Sequence, residues 1–256
     1  MIRKIKLLKR PLVCLTAYNK FSAQIIDNYC DLILVGDSLG MAYYGDSSTR
    51  SVKLEEIIRH AKSVRKGVKK SVLIVDMPYG TYNTKSNAKK NALKIIKETN
   101  CDGIKLEGGK SKAKIISFLV KNKINVMGHI GLLPQNIKNK KSFKIVGQNL
   151  KEERKVLQDL YAVEKSGAFA VVLEGVKEKV AKKIIKVSKT PIIGIGAAKG
   201  CDGQILVLED ILGFFEKVPK FVKKYLNIKN QIDKAVKKYS YEVRKNKFPT
   251  VKNVYK

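Results

Sequence analysis

Short apolar runs recur along the chain, most of them closed by polar or small residues: LVCLTAY (12–18), DLILVGD (31–37), SVLIVDMP (71–78), GIKLEGG (103–109), NVMGHIG (125–131), FAVVLEG (169–175), PIIGIGA (191–197) and QILVLED (204–210). They are rich in Val, Ile and Leu and mostly lack strict alternation, the pattern of parallel strands covered on both faces. Between most of them, VKLEEIIRHAKSVRKG, SNAKKNALKIIKETN, SKAKIISFLVKN and NLKEERKVLQDLYAVEKSG space their apolar residues at three and four, as amphipathic helices do. Ser86 and Ser111 stand where helix N-caps are expected. Strand alternating with helix predicts a parallel sheet, and eight such runs in 256 residues predict an α/β fold of the (β/α)8 TIM barrel type. The interval between PIIGIGA and QILVLED is too short for a full crossover helix, so the seventh connection is expected to be abbreviated. No repeat, low-complexity tract or linker interrupts the pattern. A single domain over residues 1–256 is expected, with about 216–256 as a C-terminal extension whose spacing suggests an amphipathic helix pair.

In such a barrel the active site lies where the strands deliver their C-terminal ends. Those ends carry Asp37 and Ser38, Asp76, Lys105 with Glu107, His129, Glu174, and then Gly194, Gly196 and Ala197. Singly, each has an ordinary structural explanation: a turn-forming Asp, a solvent-facing Glu, a core His, a snorkelling Lys. Together they place four acids, a base and an imidazole at one mouth. Crowded carboxylates repel and raise one another's pKa, so a hard divalent cation is an economical way to hold Asp37, Asp76 and Glu107 together. Oxygen-only ligands favour Mg²⁺ over zinc, with its remaining positions left to water or an oxyacid substrate. Lys105 would then neutralise a substrate carboxylate or a developing enolate oxygen, and Glu174, outside the metal set, is the candidate proton-transfer group.

Charge changes the picture less than its size suggests. The formal net charge is +31, but seven of the 53 basic residues are Arg, and Lys is spread through nearly every polar segment. Nucleic-acid sites favour Arg for bidentate and stacked contacts, so the lysines read mainly as solvated helix faces, and a lysine-rich nucleic-acid-binding protein stays as an alternative. Cys14, Cys30, Cys101 and Cys201 are far apart, without a CxxC pair, which suggests neither a zinc cluster nor a disulfide framework. No stretch has the length of a membrane helix or the apolar region of a secretory signal, so a cytoplasmic location is expected.

The segments LVCLTAYNKFSAQIID, DLILVGDSLGMAYYGDSST, His60, VDMPYGTY, GIKLEGG, VMGHIGLLPQ, GAFAVVLEGV, IIGIGAAKGCDGQILVLEDILG, KFVKKY and the closing FP resemble, in order, the motifs of the ketopantoate hydroxymethyltransferase family. The resemblance spans nearly the whole chain. It implies a (β/α)8 enzyme that transfers a one-carbon unit from 5,10-methylenetetrahydrofolate to 3-methyl-2-oxobutanoate, giving 2-dehydropantoate for pantothenate and coenzyme A synthesis. It further implies Asp37, Asp76 and Glu107 as Mg²⁺ residues, Asp37, Ser38, Asp76 and Lys105 as the keto-acid set, Glu174 as proton acceptor, and His129 lining the same mouth. A homo-oligomer, commonly a decamer, is implied as well, with small-molecule substrates and neither a membrane nor specific nucleic acid as partner. The chain departs from the family pattern at Lys141-Ser142, where a glycine pair is usual, at Val146, which stands before Gly147, at Lys177, where Pro is usual, and at Ala198, where Gly is usual. The nearest rival is a Mg²⁺-dependent enzyme of the phosphoenolpyruvate mutase/isocitrate lyase type, whose members typically carry a reactive cysteine in a mobile loop.

Overall fold

The computed structural model describes Ile2, residues 10–137 and residues 143–255. Among these residues, β1 (Leu12–Thr16), β2 (Leu32–Val35), β3 (Val72–Asp76), β4 (Gly103–Glu107), β5 (Val126–Gly131), β6 (Ala170–Glu174), β7 (Ile192–Ile195) and β8 (Gly203–Leu206) form a closed barrel in chain order. Each strand is parallel to the next, and β1 pairs with β8 to close the ring. The fold is a TIM barrel. Every residue of β2, β3 and β4 is buried, which explains why those runs lack a polar alternate face.

Helices α1 (Lys20–Ile26), α2 (Leu54–Arg65), α3 (Lys85–Thr99), α4 (Ala113–Lys121), α5 (Leu150–Lys165) and α6 (Glu178–Val187) follow the first six strands. Each turns a narrow apolar stripe inward: α2 buries Leu54, Ile57, Ile58, Ala61 and Val64, and α6 buries Val180, Ala181 and Ile184. Residues 196–202 join β7 to β8 without a helix, so the seventh connection is indeed abbreviated. Two expected caps are corrected. Thr84, not Ser86, caps α3, because Thr84 is extended and its side chain accepts from Asn87 N, which leaves Ser86 inside the first turn. Ser111 lies within a 3₁₀ turn (Lys110–Lys112) that leads into α4, and the Lys110 N–H at its start is held by Asp159 Oδ1 at 2.7 Å.

Acids at the opposite, N-terminal end of the barrel have a structural task. Asp31, Asp102 and Asp202 each accept a backbone N–H from a neighbouring strand, those of Val13, Leu73 and Ile192, at 2.9, 2.9 and 2.8 Å. Asp27, just after α1, accepts from the backbone of Lys69, Lys70 and Ser71 and fixes the start of β3. These carboxylates satisfy strand-end donors that the ladder leaves open.

The chain divides into two compact units, Met1–Val207 and Leu208–Lys256. The second holds α7 (Leu208–Leu212) and α8 (Ile228–Arg244). Here the run QILVLED is only partly a strand: it leaves the sheet after Leu206 and becomes α7, whose first turn carries Glu209 and Asp210, residues that suit a helix N-terminus. The expected helix pair is likewise one long helix, because the segment after Pro219 is turn and irregular chain until Asn227 caps α8 through Asn230 N. No residue of α8 is buried, and Ile232, Val236, Tyr239 and Val243 are exposed along it. No helix among the described residues is long and apolar enough to cross a membrane.

Candidate active site

The period of two along a strand carries the chemistry into the barrel. Leu32 and Leu34, Val72 and Ile74, Met127, Ala170 and Val172, and Ile193 form one buried cluster. The next alternate positions toward the C-terminal ends are Asp76 on β3, His129 on β5 and Glu174 on β6. Register then aligns the partners, with Asp76 opposite Lys105 and Glu107 opposite His129. Asp37 arrives just past β2, and its N–H donates to Asp76 Oδ2 at 3.1 Å.

One connected set results. Lys105 Nζ lies 2.9 Å from Asp76 Oδ1 and 3.3 Å from His129 Nδ1. His129 Nδ1 is 3.7 Å from Glu107 Oε1, and Nε2 is 3.2 Å from Glu174 Oε2. Asp37, Asp76, Lys105, Glu107 and His129 are each buried, while the Glu174 side chain is 16% exposed at the rim. An ammonium can only donate, so Nδ1 accepts from Lys105 and the imidazole proton is assigned to Nε2, facing Glu174. The Nε2 approach lacks the alignment of a full hydrogen bond.

The electrostatics follow from burial and crowding. Burial pushes the Asp37 carboxyl up to about 7, with the charge of Asp76 adding to the effect against Lys105 and a hydrogen bond from Gln135. Burial and the Asp37 charge likewise hold Glu107 well above the usual carboxylate range. Burial works against the Lys105 ammonium, but Asp76, Glu107 and Asp37 outweigh it and raise its pKa. Burial and Lys105 lower His129, which is therefore a neutral imidazole near pH 7.

The donor set suits a hard divalent cation. Four carboxylates face one ammonium, all site ligands are oxygen, and Asp76 Oδ1 is buried without an aligned hydrogen-bond partner. Asp37 and Asp76 are the adjacent pair, whereas Glu107 is turned toward Gln135 and His129. Among the described residues no three His, Cys, Asp or Glu side chains are arranged as a ready-made metal cage. Mg²⁺ commonly takes one or two carboxylates and fills its octahedron with water and substrate oxygens, a pattern this pair can meet.

The remaining expectations fall around this centre. Ser38 follows Asp37 and shares a 2.7 Å hydrogen bond with Tyr18 OH. His60 stands outside the acids: its Nδ1 is 2.6 Å from Tyr18 O and its Nε2 3.0 Å from Tyr44 OH, so it braces the π-helical turn Gly40–Tyr44 that follows Asp37-Ser38. Gly194 has no room for a side chain, since a Cβ would meet Cys201 Sγ at 2.8 Å. Lys177 uses the N–H that a proline would lack, donating to Val146 O at 2.9 Å while Val146 N donates to Gly175 O at 2.8 Å. That pair ties the segment after β5 beside Glu174. Lys141-Ser142 lies outside the described residues. Ala198 is buried and its carbonyl accepts from Gln204 Nε2 at 2.9 Å.

Sequence reasoning missed Gln135 and Tyr82. Gln135, in a 3₁₀ turn after β5, donates from Nε2 to Asp37 Oδ2 at 2.7 Å and from its backbone N–H to Glu107 Oε2 at 3.0 Å. Tyr82 OH donates to Gln135 Oε1 and accepts from Glu107 N. Both close segments that carry the family resemblance, VDMPYGTY and VMGHIGLLPQ, but a neutral amide and a phenol reveal their use only through partners far away in sequence.

Comparison with known proteins bears on the family and the fold. The family model for ketopantoate hydroxymethyltransferase matches residues 1–251. A 3-methyl-2-oxobutanoate hydroxymethyltransferase of Pelagibacter ubique (strain HTCC1062) is 50% identical over 247 residues, covering 96% of this chain and 95% of that one. One from Rhizobium etli is 46% identical, covering 96% and 91%. Among solved structures, a 2,3-dimethylmalate lyase of the PEP mutase/isocitrate lyase superfamily aligns with a TM-score of 0.64 at 12% identity, covering 97% of this chain and 85% of that one. A phosphonopyruvate hydrolase complex with oxalate and Mg²⁺ aligns with a TM-score of 0.62 at 12% identity, covering 95% and 88%. At such identities the structural likeness speaks for the fold alone.

Proposed function

The chain belongs to the ketopantoate hydroxymethyltransferase family, a family of transferases, and from that premise we propose that it moves the one-carbon unit of 5,10-methylenetetrahydrofolate onto 3-methyl-2-oxobutanoate, giving 2-dehydropantoate for pantothenate and coenzyme A synthesis. The observation that carries this reading is the buried carboxylate cluster against Lys105, with Glu174 at its rim. Asp37 and Asp76, with Glu107 beside them, would hold Mg²⁺, which when bound acts as a Lewis acid on the keto and carboxylate oxygens of the substrate. Lys105 offers positive charge to the oxygen that gains electron density as the C3 proton leaves. The Ser38 hydroxyl stands beside Asp37 as a hydrogen-bond donor or acceptor for the same keto acid.

Glu174 receives the proton. Its position at the rim lets Oε2 reach substrate carbon, while the neutral His129 holds its Nε2–H toward that oxygen and limits its rotation. The electron pair released from the C3–H bond then forms the new bond to the methylene carbon of the folate as one C–N bond to that carbon breaks toward nitrogen; water replaces the remaining C–N bond, supplying the hydroxyl oxygen and releasing tetrahydrofolate. Burial of the acids limits water around the carbanion until the C–C bond exists, and the water consumed is the one that supplies the hydroxyl.

Enzymes of the rival type typically carry a reactive cysteine in a mobile loop. All four cysteines here are buried, and burial raises the thiol pKa of each, that of Cys30 up to about 12. The assembly we propose is a homo-oligomer in the cytoplasm, and the exposed apolar residues of α8 are consistent with self-association. The test is formation of 2-dehydropantoate from both substrates with Mg²⁺ and with excess chelator. Activity that depends on the cation supports the reading. Purified protein that makes no product, yet binds DNA with a steep salt dependence, would overturn it.

A further inference from the structure

Gln135 stands out because its side-chain polar atoms and its backbone N–H are all spent on the site. We propose that Gln135, with its amide orientation fixed by Tyr82, is the positioning residue that presents Asp37 to a divalent cation and the keto acid. This rests on the reading that both bind at the barrel mouth.

Hydrogen-bond direction carries the argument. The Glu107 N–H donates to Tyr82 Oη at 3.3 Å, so the phenol proton is free to point elsewhere, and it points at Gln135 Oε1. With the amide oxygen so committed, the NH₂ group must face the other way. It donates to Asp37 Oδ2 at 2.7 Å and to Met77 O at 3.0 Å, which uses both of its protons. A flipped amide would set its oxygen against a carboxylate and a carbonyl, and its NH₂ against the phenol. The side chain therefore has one stable orientation, and that orientation immobilises one oxygen of Asp37.

Placement makes this more than a satisfied buried amide. Gln135 is 2% exposed and comes from the segment after β5, yet it links Asp37 after β2, Met77 after β3 and Glu107 on β4. Two of its four contacts are to acids proposed to face the cation. The Gln135 amide reaches 98 residues back along the chain to a carboxylate from another strand end. An apolar side chain of the same volume could fill the space, but it could not hold the Asp37 carboxylate oriented before the cation arrives.

The test is a double-mutant cycle on the full chain: Gln135→Leu, Tyr82→Phe and the pair, compared with wild type. Mg²⁺ affinity is measured by titration calorimetry, with and without 3-methyl-2-oxobutanoate and without folate, so that no turnover occurs. Melting temperature and steady-state kinetics at limiting and saturating Mg²⁺ accompany it. Gln135→Leu is expected to weaken Mg²⁺ binding about tenfold or more, the effect of losing a hydrogen bond to a charged group. Tyr82→Phe should weaken it about three- to tenfold, and the pair should be no weaker than Gln135→Leu alone, because Tyr82 acts through Gln135. The Mg²⁺ needed for half-maximal rate should rise more than kcat at saturating Mg²⁺ falls.

Should Gln135→Leu fail to fold, Tyr82→Phe still decides: unchanged affinity overturns the proposal. Lower melting temperatures with affinities within twofold of wild type make Gln135 a structural residue and overturn the proposal while leaving the proposed function intact. Fully additive losses overturn the dependence of Gln135 on Tyr82. No Mg²⁺ binding by the wild type, with or without keto acid, overturns the inference and the proposed function together.

Discussion

Gly131→Ala isolates the link between backbone packing and the proton-transfer group. Gly131 ends β5 directly opposite Glu174 in register, at φ +92°, a backbone region that L side chains rarely adopt. A Cβ built there would lie 2.4 Å from Glu174 O and 2.7 Å from Val176 Cγ2. The first neighbour is backbone, so it cannot rotate away. Restoring even 3.0 Å moves β6 outward by about 0.6 Å at the residue proposed to take the proton. The left-handed conformation adds about 1–2 kcal/mol, and the overpacking about 1–3 kcal/mol. At about 2–4 °C per kcal/mol for a chain of this size, Tm should fall by about 4–20 °C. Displacement of about 1 Å at a reacting group costs about 100-fold, so for this smaller shift kcat should fall by about tenfold or more while the keto acid KM changes little. Gly200→Ala is the control, since its nearest neighbour is Ile185 Cδ1 at 4.0 Å. Thermal melts and steady-state kinetics read both. Wild-type kcat and Tm in Gly131→Ala would refute the claim that this contact positions Glu174.

Asp76→Ala and Glu174→Gln should divide binding from chemistry. The first removes the partner of a buried ammonium and a proposed cation ligand, so Mg²⁺-dependent substrate binding should weaken by about tenfold or more with a marked loss of stability; the second should lower kcat with KM nearly unchanged, and small, equal effects from both would refute the site assignment. Asp27→Asn addresses acid stability. Burial alone would raise the Asp27 pKa, but hydrogen bonds from Ser71, Lys69 and Lys70 outweigh it and lower it. A depressed folded pKa gives stability that is present above the unfolded value, about 3.9, and is lost as pH falls through the folded one. The wild type should therefore exceed Asp27→Asn by about 1–3 kcal/mol in urea melts at pH 7, with the gap closing below about pH 4; a gap independent of pH would refute the assignment.

Much of the barrel was legible because its signals are local. The unbroken apolar run VLIV before Asp76 and the run AVVL before Glu174 announce parallel strands by themselves, and a strand end in a barrel announces the mouth. Where two local signals competed, reading failed: LVLED mixed strand-forming residues with acids suited to a helix start, and the loss of a sheet partner after Leu206 decided for the helix. The cap of α3 turned on which of two nearby hydroxyls met an extended backbone, Thr84 rather than Ser86.

The sequence alone therefore determined the fold class, and it marked the strand ends, with their acids, that are proposed to carry the chemistry, because each depends on residue type and period within a short window. Only the tertiary structure decided how those residues share protons and charge. That Lys105 faces Asp76, that His129 is neutral between Lys105 and Glu174, and that Gln135 holds Asp37 all depend on register and burial. The physical reason is range. Periodicity acts over a few residues, whereas pairing and desolvation act between atoms that the closed barrel brings together from separate strands.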